Sequence, residues 1–419
     1  MKPTFKTWIA VASACVLLVG CSSASGSGEN GSDGANSTNS LNLWVPPLAA
    51  NNQDKALWDE IVEPFEKERG VDVHITVIPW DAYETKYLTG VSSGEGPDVG
   101  YMYSEMIGDY ISKDQLVDLS SMVTQDQKDS FYFLKNGDFD GKQYSIPLIV
   151  GGARVLFYNK DLLDSVGVSV PQSWSDFADA GIKLKRAGIK PFATAWGGDS
   201  SRGAMNGLFF PFVWQAGGEL FERDGSQTRF NSKEVLEAAT FIRDLRDSGV
   251  IAETATGSTP ETQFKDFASG NAAFIIDSDQ RMKEWTDAGI NWGFVPSLKG
   301  KQEGTFIASD SLTILKKCKN QQLCYDLISF ITSGPQMEKL HTQATFPPIA
   351  KDERSTYPEQ FAQMYVNRTN MMHPLPVIPN GTGTYQVLYE NLQQMLNGQK
   401  TPEQALNDAT EEANAMLKR

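Results

Sequence analysis

Residues 141–163 read GKQYSIPLIVGGARVLFYNKDLL, and this stretch decides the fold. Pro147 restricts the residue before it to extended backbone, so a short strand is predicted there. Gly151 and Gly152 allow the backbone to bend where a bulkier residue does not. The apolar run at 155–157 predicts a second strand, and the polar residues after it start a helix. A strand, a flexible joint and a strand that leads into a helix are expected where a chain passes from one lobe to another.

Three motifs stand in a fixed order around this crossing. They are Gly-Lys-x-Tyr-x-x-Pro at 141–147, Tyr-Asn-Lys-Asp-Leu at 158–162 and Pro-Gln-Ser-Trp at 171–174. Their order and spacing resemble the extracellular solute-binding proteins of ABC sugar importers, the group that includes maltose-binding protein, and the resemblance extends from about Leu41 to the C-terminus. It implies a two-lobed α/β fold of the periplasmic-binding-protein type (class II), in which each lobe has a mainly parallel sheet flanked by helices. It also implies a carbohydrate in the cleft, a membrane permease that receives it, a separate ATPase, and no catalysis.

The length of 419 residues favours two domains, because single hydrophobic cores stop growing at roughly 250–300 residues. Strand and helix patterns alternate over residues 41–103, which predicts parallel strands joined by helical crossovers. We expect an N-terminal lobe of residues 41–152 plus 307–345 and a C-terminal lobe of residues 153–306 plus 346–419. Ligands of such sheets bind beyond the carboxyl ends of the strands.

The N-terminus has the pattern of a processed leader. Lys2 and Lys6 precede a short apolar run that ends in Leu-Val-Gly-Cys, so residues 1–20 are predicted to be a signal peptide. The Leu-x-Gly-Cys ending resembles a bacterial lipobox, in which Cys21 carries the lipid. Residues 21–40 are rich in Ser, Gly and Asn, which is typical of a flexible tether. These features predict a protein anchored at the extracellular face of the cytoplasmic membrane.

Net charge limits the choice of partner. Removal of residues 1–20 takes away two lysines and no acidic residue, so the net charge changes from −15 to −17. This charge disfavours nucleic acid, anionic lipid and phosphorylated ligands, so a neutral solute is the simplest expectation, and the resemblance implies that it is an oligosaccharide. The histidines, His74, His341 and His373, are too far apart in sequence for a zinc motif, and we expect no metal, no cofactor and a monomeric protein.

Two cysteines remain after processing, Cys318 and Cys324. They lie between a predicted strand and a predicted helix. A disulfide that closes a short loop and two free thiols are both consistent with this spacing.

A neutral sugar needs flat aromatic surfaces and short polar side chains that accept and donate hydrogen bonds. Aromatic residues at strand ends or beside loops are therefore candidates for the cleft, with a place in the core as the alternative for each. Tyr385 follows Gly-Thr-Gly-Thr, and the resemblance implies that it covers the sugar from the second lobe. The aromatic candidates are Trp44, Trp80, Tyr83, Tyr103, Trp196, Trp214, Trp292 and Tyr385.

The polar candidates are Asp98, Asp277, Asp279, Arg281 and Asp310. Asp98 follows Gly-Pro, and the resemblance places it at the cleft rim, although an aspartate there also stabilises turns. The loop at 277–281 carries charges where the family usually has a glycine and an aromatic residue. This departure indicates either a more polar binding site or helix capping by one of the aspartates.

Two other functions stay open at this stage. A lipid-anchored glycoside hydrolase needs two carboxylates about 5–10 Å apart, for which the acids at 277–279 and Asp98 are candidates. A binding protein for a polyamine or a peptide is compatible with the acidic surface. The Gly-x-Ser-x-Gly sequence at 90–94 does not support a serine nucleophile, because that motif follows a strand and a helix is predicted here.

Overall fold

The structure is a computed structural model that describes residues 40–49, 53–197, 203–222 and 225–417. The predicted signal peptide, the predicted lipidation site Cys21 and the tether up to residue 39 lie outside the described residues. Within those ranges, no helix has both the length and the apolar character needed to cross a membrane.

The strands are short, with two to seven residues each. In chain order they are β1 Ser40–Val45, β2 Asp72–Val77, β3 Val99–Tyr103, β4 Asp138–Phe139, β5 Lys142–Gln143, β6 Ser145–Gly151, β7 Arg154–Asn159, β8 Lys190–Ala193, β9 Ala272–Ser278, β10 Trp292–Val295, β11 Thr305–Phe306, β12 Ala308–Ile314 and β13 Met372–His373.

The helices begin and end at recognisable signals. Ser173 and Asp176 form a capping box at the start of α6, and Gly70 adopts the left-handed conformation that ends α1. In chain order the helices are α1 Asp54–Arg69, α2 Tyr83–Ser93, α3 Ser104–Ser112, α4 Gln125–Ser130, α5 Lys160–Ser165, α6 Trp174–Arg186, α7 Ala204–Leu208, α8 Phe210–Gln215, α9 Lys233–Asp247, α10 Pro260–Ala268, α11 Met282–Asp287, α12 Gln321–Ile331, α13 Gly334–Ala344, α14 Glu359–Asn367, α15 Gly381–Leu396 and α16 Pro402–Leu417.

Two larger sheets organise the chain. The first sheet has the order β2-β1-β3-β12-β6, and the second has the order β10-β7-β9-β8. Strands β1, β2 and β3 pair in parallel, as predicted, but β12 is antiparallel to both β3 and β6. In the second sheet β7 is antiparallel to β9 and β10, and only β8 and β9 are parallel. Both sheets are therefore mixed, because strands that arrive from the other sheet enter in the opposite direction.

The core follows the alternation of side chains along the strands. Val155 and Phe157 of β7 belong to a hydrophobic cluster that continues into the first sheet. Leu156, between them, belongs to a second cluster, which includes Phe192, Phe274 and the buried face of α15. Successive residues of a strand point to opposite faces, so β7 contributes to both clusters.

The chain passes between the sheets where the sequence predicted it. It leaves the first sheet at Gly151, the end of β6, and enters the second at Arg154, the start of β7. Gly152 has a φ of +65°, a left-handed conformation that glycine adopts without strain. The chain returns to the first sheet through β12, which also confirms the predicted return strand.

Backbone atoms of α3 touch the segment that leads into α15, and we call this the glycine contact. A Cβ on Gly108 would lie 1.9 Å from the carbonyl oxygen of Ile378, and one on Gly381 would lie 2.6 Å from the carbonyl oxygen of Glu105. The Gly381 amide also donates to Asp109 Oδ1 at 3.0 Å, so a side chain of α3 caps α15. Only glycine allows so close an approach.

Cys318 and Cys324 form a disulfide, so the structure selects this alternative over two free thiols. Cys318 precedes α12, Cys324 lies within it, and both cysteines are buried. It closes the short loop between β12 and α12.

Candidate functional site

A cavity of about 540 Å³ lies between the two sheets, beside the crossing at Gly151 and Gly152. We call it the large cavity. One side comes from the first sheet and its connections, with Trp80, Tyr101 and Asp310. The other side comes from the second sheet and the residues that follow it, with Arg154, Asp277, Gln280, Arg281 and Glu284.

The first of these sides is the aromatic wall, made of Trp80, Tyr101 and Asp310. Trp80 follows β2 and leaves 48% of its surface exposed, which is unusual for a tryptophan in a folded protein. Its ring packs against Tyr83 at 5.4 Å and Tyr101 at 6.1 Å between centroids. Buried aromatic neighbours therefore fix the ring while one face stays free to contact a ligand.

Tyr101 and Asp310 form the polar part of the aromatic wall. The Tyr101 hydroxyl donates to Asp310 Oδ2 at 2.5 Å, which joins β3 to β12. Burial raises the pKa of Asp310 to about 7. At neutral pH this carboxyl group is therefore divided between a form that accepts hydrogen bonds and a form that also donates one.

The opposite side is the charged wall, made of Arg154, Asp277 and Arg281. Asp277 lies in β9 and is 7% exposed. Its Oδ1 accepts from the Ser278 amide at 2.6 Å, whereas its Oδ2 has no hydrogen-bond partner within the described ranges. Burial raises the pKa of Asp277, and the nearby Arg154 and Arg281 oppose that rise.

The two arginines of the charged wall have different surroundings. The Arg281 guanidinium lies 3.6 Å from the centre of the Phe264 ring and donates to both oxygens of Glu284 at 2.8 Å. Its Nε is 3.7 Å from Asp277 Oδ2. Arg154 donates to the Gly152 carbonyl at 2.9 Å and has no carboxylate within 4.0 Å among the residues placed by the structure. Arg154 thus has donors left for a ligand.

A smaller cavity of about 190 Å³ adjoins the large one, and we call it the side cavity. The two share Arg154, Phe264 and Asp277 as lining residues. Strands β8 and β9 and helices α7 and α10 surround the side cavity. Small residues that include Ala195, Ala204 and Gly207 leave the space open.

Four of the residues predicted from the sequence line the large cavity: Trp80, Asp277, Arg281 and Asp310. The structure places the other nine outside it, and the prediction that they contact a ligand there is corrected for each. They are Trp44, Tyr83, Asp98, Tyr103, Trp196, Trp214, Asp279, Trp292 and Tyr385.

Core packing accounts for three of the displaced tryptophans. Trp44 is 6% exposed, and its ring edge packs on Tyr87 at 5.2 Å. Trp196 stacks on Tyr389 at 5.4 Å, and Trp214 stacks on His373 at 4.8 Å. Each follows or enters an element whose inner face is covered by a helix, so the ring points into the core.

The remaining aromatic candidates also have partners in the protein. The buried Tyr83 donates to the Tyr101 carbonyl at 2.8 Å, and the Tyr103 hydroxyl bonds to Glu84. Trp292 donates from Nε1 to Thr286 Oγ1 at 3.0 Å. Tyr385 is buried in α15, where Phe210 and Phe221 pack on its ring.

Asp98 and Asp279 stabilise the fold and do not line the large cavity. Asp98 Oδ2 accepts from the Asn42 amide at 2.9 Å, and this holds the beginning of β3 against β1, at the end of the strand far from the cavity. Asp279 is fully buried beside the hydroxyls of Tyr357 and Tyr365, and burial raises its pKa to about 7. Its amide donates to the Ala153 carbonyl at 3.0 Å, so the residue supports the crossing.

Sequence reasoning missed Tyr101, Arg154 and Phe264. Tyr101 is itself buried in the middle of β3, and Phe264 lies in α10 without a distinguishing motif, so no local signal identifies either. Arg154 had a usable signal, because it is a charged residue two positions after the glycine pair at the expected crossing.

Known proteins resemble this chain in sequence and in fold. Residues 49–338, which are more than half of the chain, match the family described as bacterial extracellular solute-binding protein. The chain belongs to this family. No group of three or more His, Cys, Asp or Glu residues suited to a metal ion occurs in the described part of the chain.

Similar proteins within the family cover almost the whole chain. A galactooligosaccharide-binding protein of Bacillus subtilis (strain 168) is 24% identical over 372 residues, with 86% of this chain and 86% of that protein covered. A maltooligosaccharide ABC transporter solute-binding lipoprotein of Streptococcus pneumoniae serotype 4 is 24% identical over 418 residues, which covers 94% of this chain and 93% of that protein. These relatives are named as binding proteins, not as enzymes.

Solved structures share the fold. The cyclic alpha-maltosyl-1,6-maltose binding protein from Arthrobacter globiformis has a TM-score of 0.74 at 20% sequence identity, over 90% of this chain and 99% of that chain. The cyclo/maltodextrin-binding protein complexed with maltotetraose has a TM-score of 0.73 at 19% identity, over 90% and 96%. The two-lobed α/β fold predicted from the sequence is confirmed.

Proposed function

We propose that this solute-binding protein captures a neutral oligosaccharide in the large cavity and delivers it to the permease of an ABC transporter. The observation that carries the proposal is the pairing of a half-exposed Trp80 on one wall with Asp277, Arg154 and Arg281 on the other. A sugar ring presents an apolar C–H face and a rim of hydroxyls. An aromatic ring fits the face, and charged groups that accept and donate fit the hydroxyls.

Cavity size supports an oligosaccharide over a single sugar. A cavity of about 150 Å³ holds one six-membered ring such as benzene. The large cavity, at about 540 Å³, is therefore suited to about three rings. The relatives named above bind galactooligosaccharides and maltooligosaccharides, which agrees with this size.

Binding across two walls supplies the mechanism. A ligand that touches both walls only when they approach shifts the open and closed populations by the difference in its affinity for the two. The predicted N-terminal lobe, residues 41–152 plus 307–345, carries the aromatic wall. The predicted C-terminal lobe, residues 153–306 plus 346–419, carries the charged wall. The permease then recognises the closed form.

The lipid anchor and the monomeric state are part of the same proposal. Cleavage before Cys21 and lipidation of that cysteine hold the protein at the extracellular face of the cytoplasmic membrane. The protein acts there as a monomer and does not alter its ligand.

A thermal-shift screen of residues 41–419 against mono-, di-, tri- and tetrasaccharides of the galacto and malto series tests the proposal. A ligand present at 100 times its Kd stabilises the folded state by about 2.7 kcal/mol, so a hit raises the melting temperature measurably. The absence of a shift with every sugar contradicts the proposal. Release of reducing ends from a hit supports a hydrolase instead, and a shift with polyamines that declines as salt rises supports a cationic ligand.

A further inference from the structure

The side cavity is joined to the large cavity at a charged junction. Arg154, Asp277 and Phe264 line both, so the two cavities are adjacent and a ligand that occupies both would pass these three side chains. We infer that the side cavity takes the terminal ring of a linear oligosaccharide whose remaining rings lie in the large cavity. This inference rests on the proposed function and adds the chain end as the feature that the protein recognises.

Volume limits the side cavity to one ring. At about 190 Å³ it exceeds the roughly 150 Å³ that holds benzene by little more than a hydroxyl or two, and it is about a third of the large cavity. Together the two cavities suit about four rings. Because this volume suits one ring, we expect a chain that enters the side cavity to end there.

The lining of the side cavity suits a sugar ring. Phe192, Leu208 and Ile276 provide apolar contact, while Thr194 and Gln263 add polar groups. Asp277 adds a carboxylate oxygen that has no hydrogen-bond partner within the described residues. A buried acceptor without a donor is unfavourable, and a ligand hydroxyl at the junction supplies the missing donor.

A variant that fills the side cavity separates the two cavities. Ala204 begins α7 and lines the side cavity but not the large one, so Ala204→Leu occupies the space without touching Trp80, Asp310 or Arg281. Ala56→Leu, on the exposed face of α1, is the matched control because it adds the same atoms away from both cavities. Gln263→Met keeps the size of its side chain, removes a polar group from the side cavity and provides a second readout should Ala204→Leu not fold.

The experiment uses the tetrasaccharide that binds wild type most tightly in the screen above. It is measured by calorimetry unmodified, with a nitrophenyl group at the reducing end, and with the same group at the non-reducing end. We expect one substituted form to lose at least tenfold in affinity and the other to bind like the unmodified chain. Ala204→Leu should weaken the unmodified chain at least tenfold and Gln263→Met severalfold, while Ala56→Leu binds like wild type.

Two results overturn the inference alone. One is equal affinity for both end-substituted forms, and the other is unchanged binding of the unmodified tetrasaccharide by Ala204→Leu, or by Gln263→Met where the first variant does not fold. If no oligosaccharide binds wild type, the proposed function itself fails. The two failures are therefore distinguishable.

Discussion

The aromatic wall and the charged wall face one cavity but are built in opposite ways. Trp80 and Tyr101 are fixed by ring packing that continues through Tyr83 and Tyr87, so the shape of that wall is set by the core beneath it. The charged wall is held by ion pairs and by the Arg281 stack on Phe264. The aromatic wall thus provides a rigid surface for a ring face, and the charged wall provides adjustable partners for hydroxyls.

This difference separates two contributions to recognition. A packed aromatic surface contributes affinity for any sugar ring of the right size, since C–H faces are similar among sugars. Charged groups distinguish one arrangement of hydroxyls from another, because their hydrogen bonds are strong and directional. We therefore expect substitutions on the aromatic wall to weaken all ligands together and substitutions on the charged wall to change the order of preference among sugars.

The largest effect is expected at Trp80. Trp80→Ala should lower oligosaccharide affinity by about 2 kcal/mol, or roughly thirtyfold, with little change in the ligand-free melting temperature, because half of the side chain is already exposed. Trp44→Ala is the matched control. Its buried ring leaves a cavity, so stability should fall by about 3–5 kcal/mol. Calorimetric titration and thermal melts of both variants check this contrast, and a large melting-temperature loss in Trp80→Ala contradicts it.

On the charged wall, Asp277→Asn should weaken binding by about fivefold. The amide oxygen still accepts from Ser278, but the amino group replaces the partnerless Oδ2 and removes a charged acceptor, whose hydrogen bonds exceed neutral ones by about 1 kcal/mol. The ligand-free protein should be as stable as wild type or more so, because a buried charge is lost. A panel of sugars measured by titration should also show a changed order of preference. An unchanged affinity for every sugar would mean that Asp277 does not touch the ligand.

The raised pKa of Asp310, in the aromatic wall, predicts that the stability of the protein depends on pH. Its pKa is raised from 3.8 to about 7 by burial, so the folded state holds this proton more tightly than the unfolded state. Stability from this group is then lost as pH rises from about 4 to about 7. Asp310→Asn keeps an acceptor for Tyr101 and does not titrate. Its melting temperature should therefore gain a few degrees on wild type across that window, and parallel melting curves at all pH values contradict the prediction.

The smallest effect is expected from Arg281→Lys. Lysine loses the bidentate contact with Glu284 and the stack on Phe264 but keeps the positive charge near Asp277. Ion pairs one helical turn apart contribute about 0.3–0.5 kcal/mol, so affinity should fall by about twofold. Titration at low and high salt checks this. A loss of tenfold or more would show that the contact with the ligand needs the planar guanidinium, and would make the charged wall as rigid as the aromatic one.

Sequence patterns predicted the order of elements, the crossing at Gly151 and Gly152, and the return through β12. They also placed Trp80 and the 277–281 loop near the cavity, because residues directly after strands meet at one edge of a sheet. They failed where the direction of a side chain depends on what packs above it. Trp196, Trp214 and Tyr385 were expected beside loops, yet Tyr389, His373 and Phe210 pack on their rings.

Strand direction explains another error. Asp98 precedes β3, whereas the cavity lies beyond the end of β3, so the motif was recognised but assigned to the wrong edge. Phe264 and Tyr101 could not be found at all. Their contribution depends on the position of α10 relative to β9 and on the β3–β12 register, and both arise from contacts distant in sequence.

Because of the glycine contact between α3 and the start of α15, a substitution at position 108 changes how closely these two segments approach each other. No flexible side chain lies between Gly108 and the Ile378 carbonyl, so an added methyl group cannot be absorbed by a rotamer change. Alanine, valine and phenylalanine at position 108 would act as spacers of increasing thickness at a residue that does not line the large cavity. Such a series would tune the concentration range of a fluorescent sugar sensor built on this protein while leaving its selectivity unaltered.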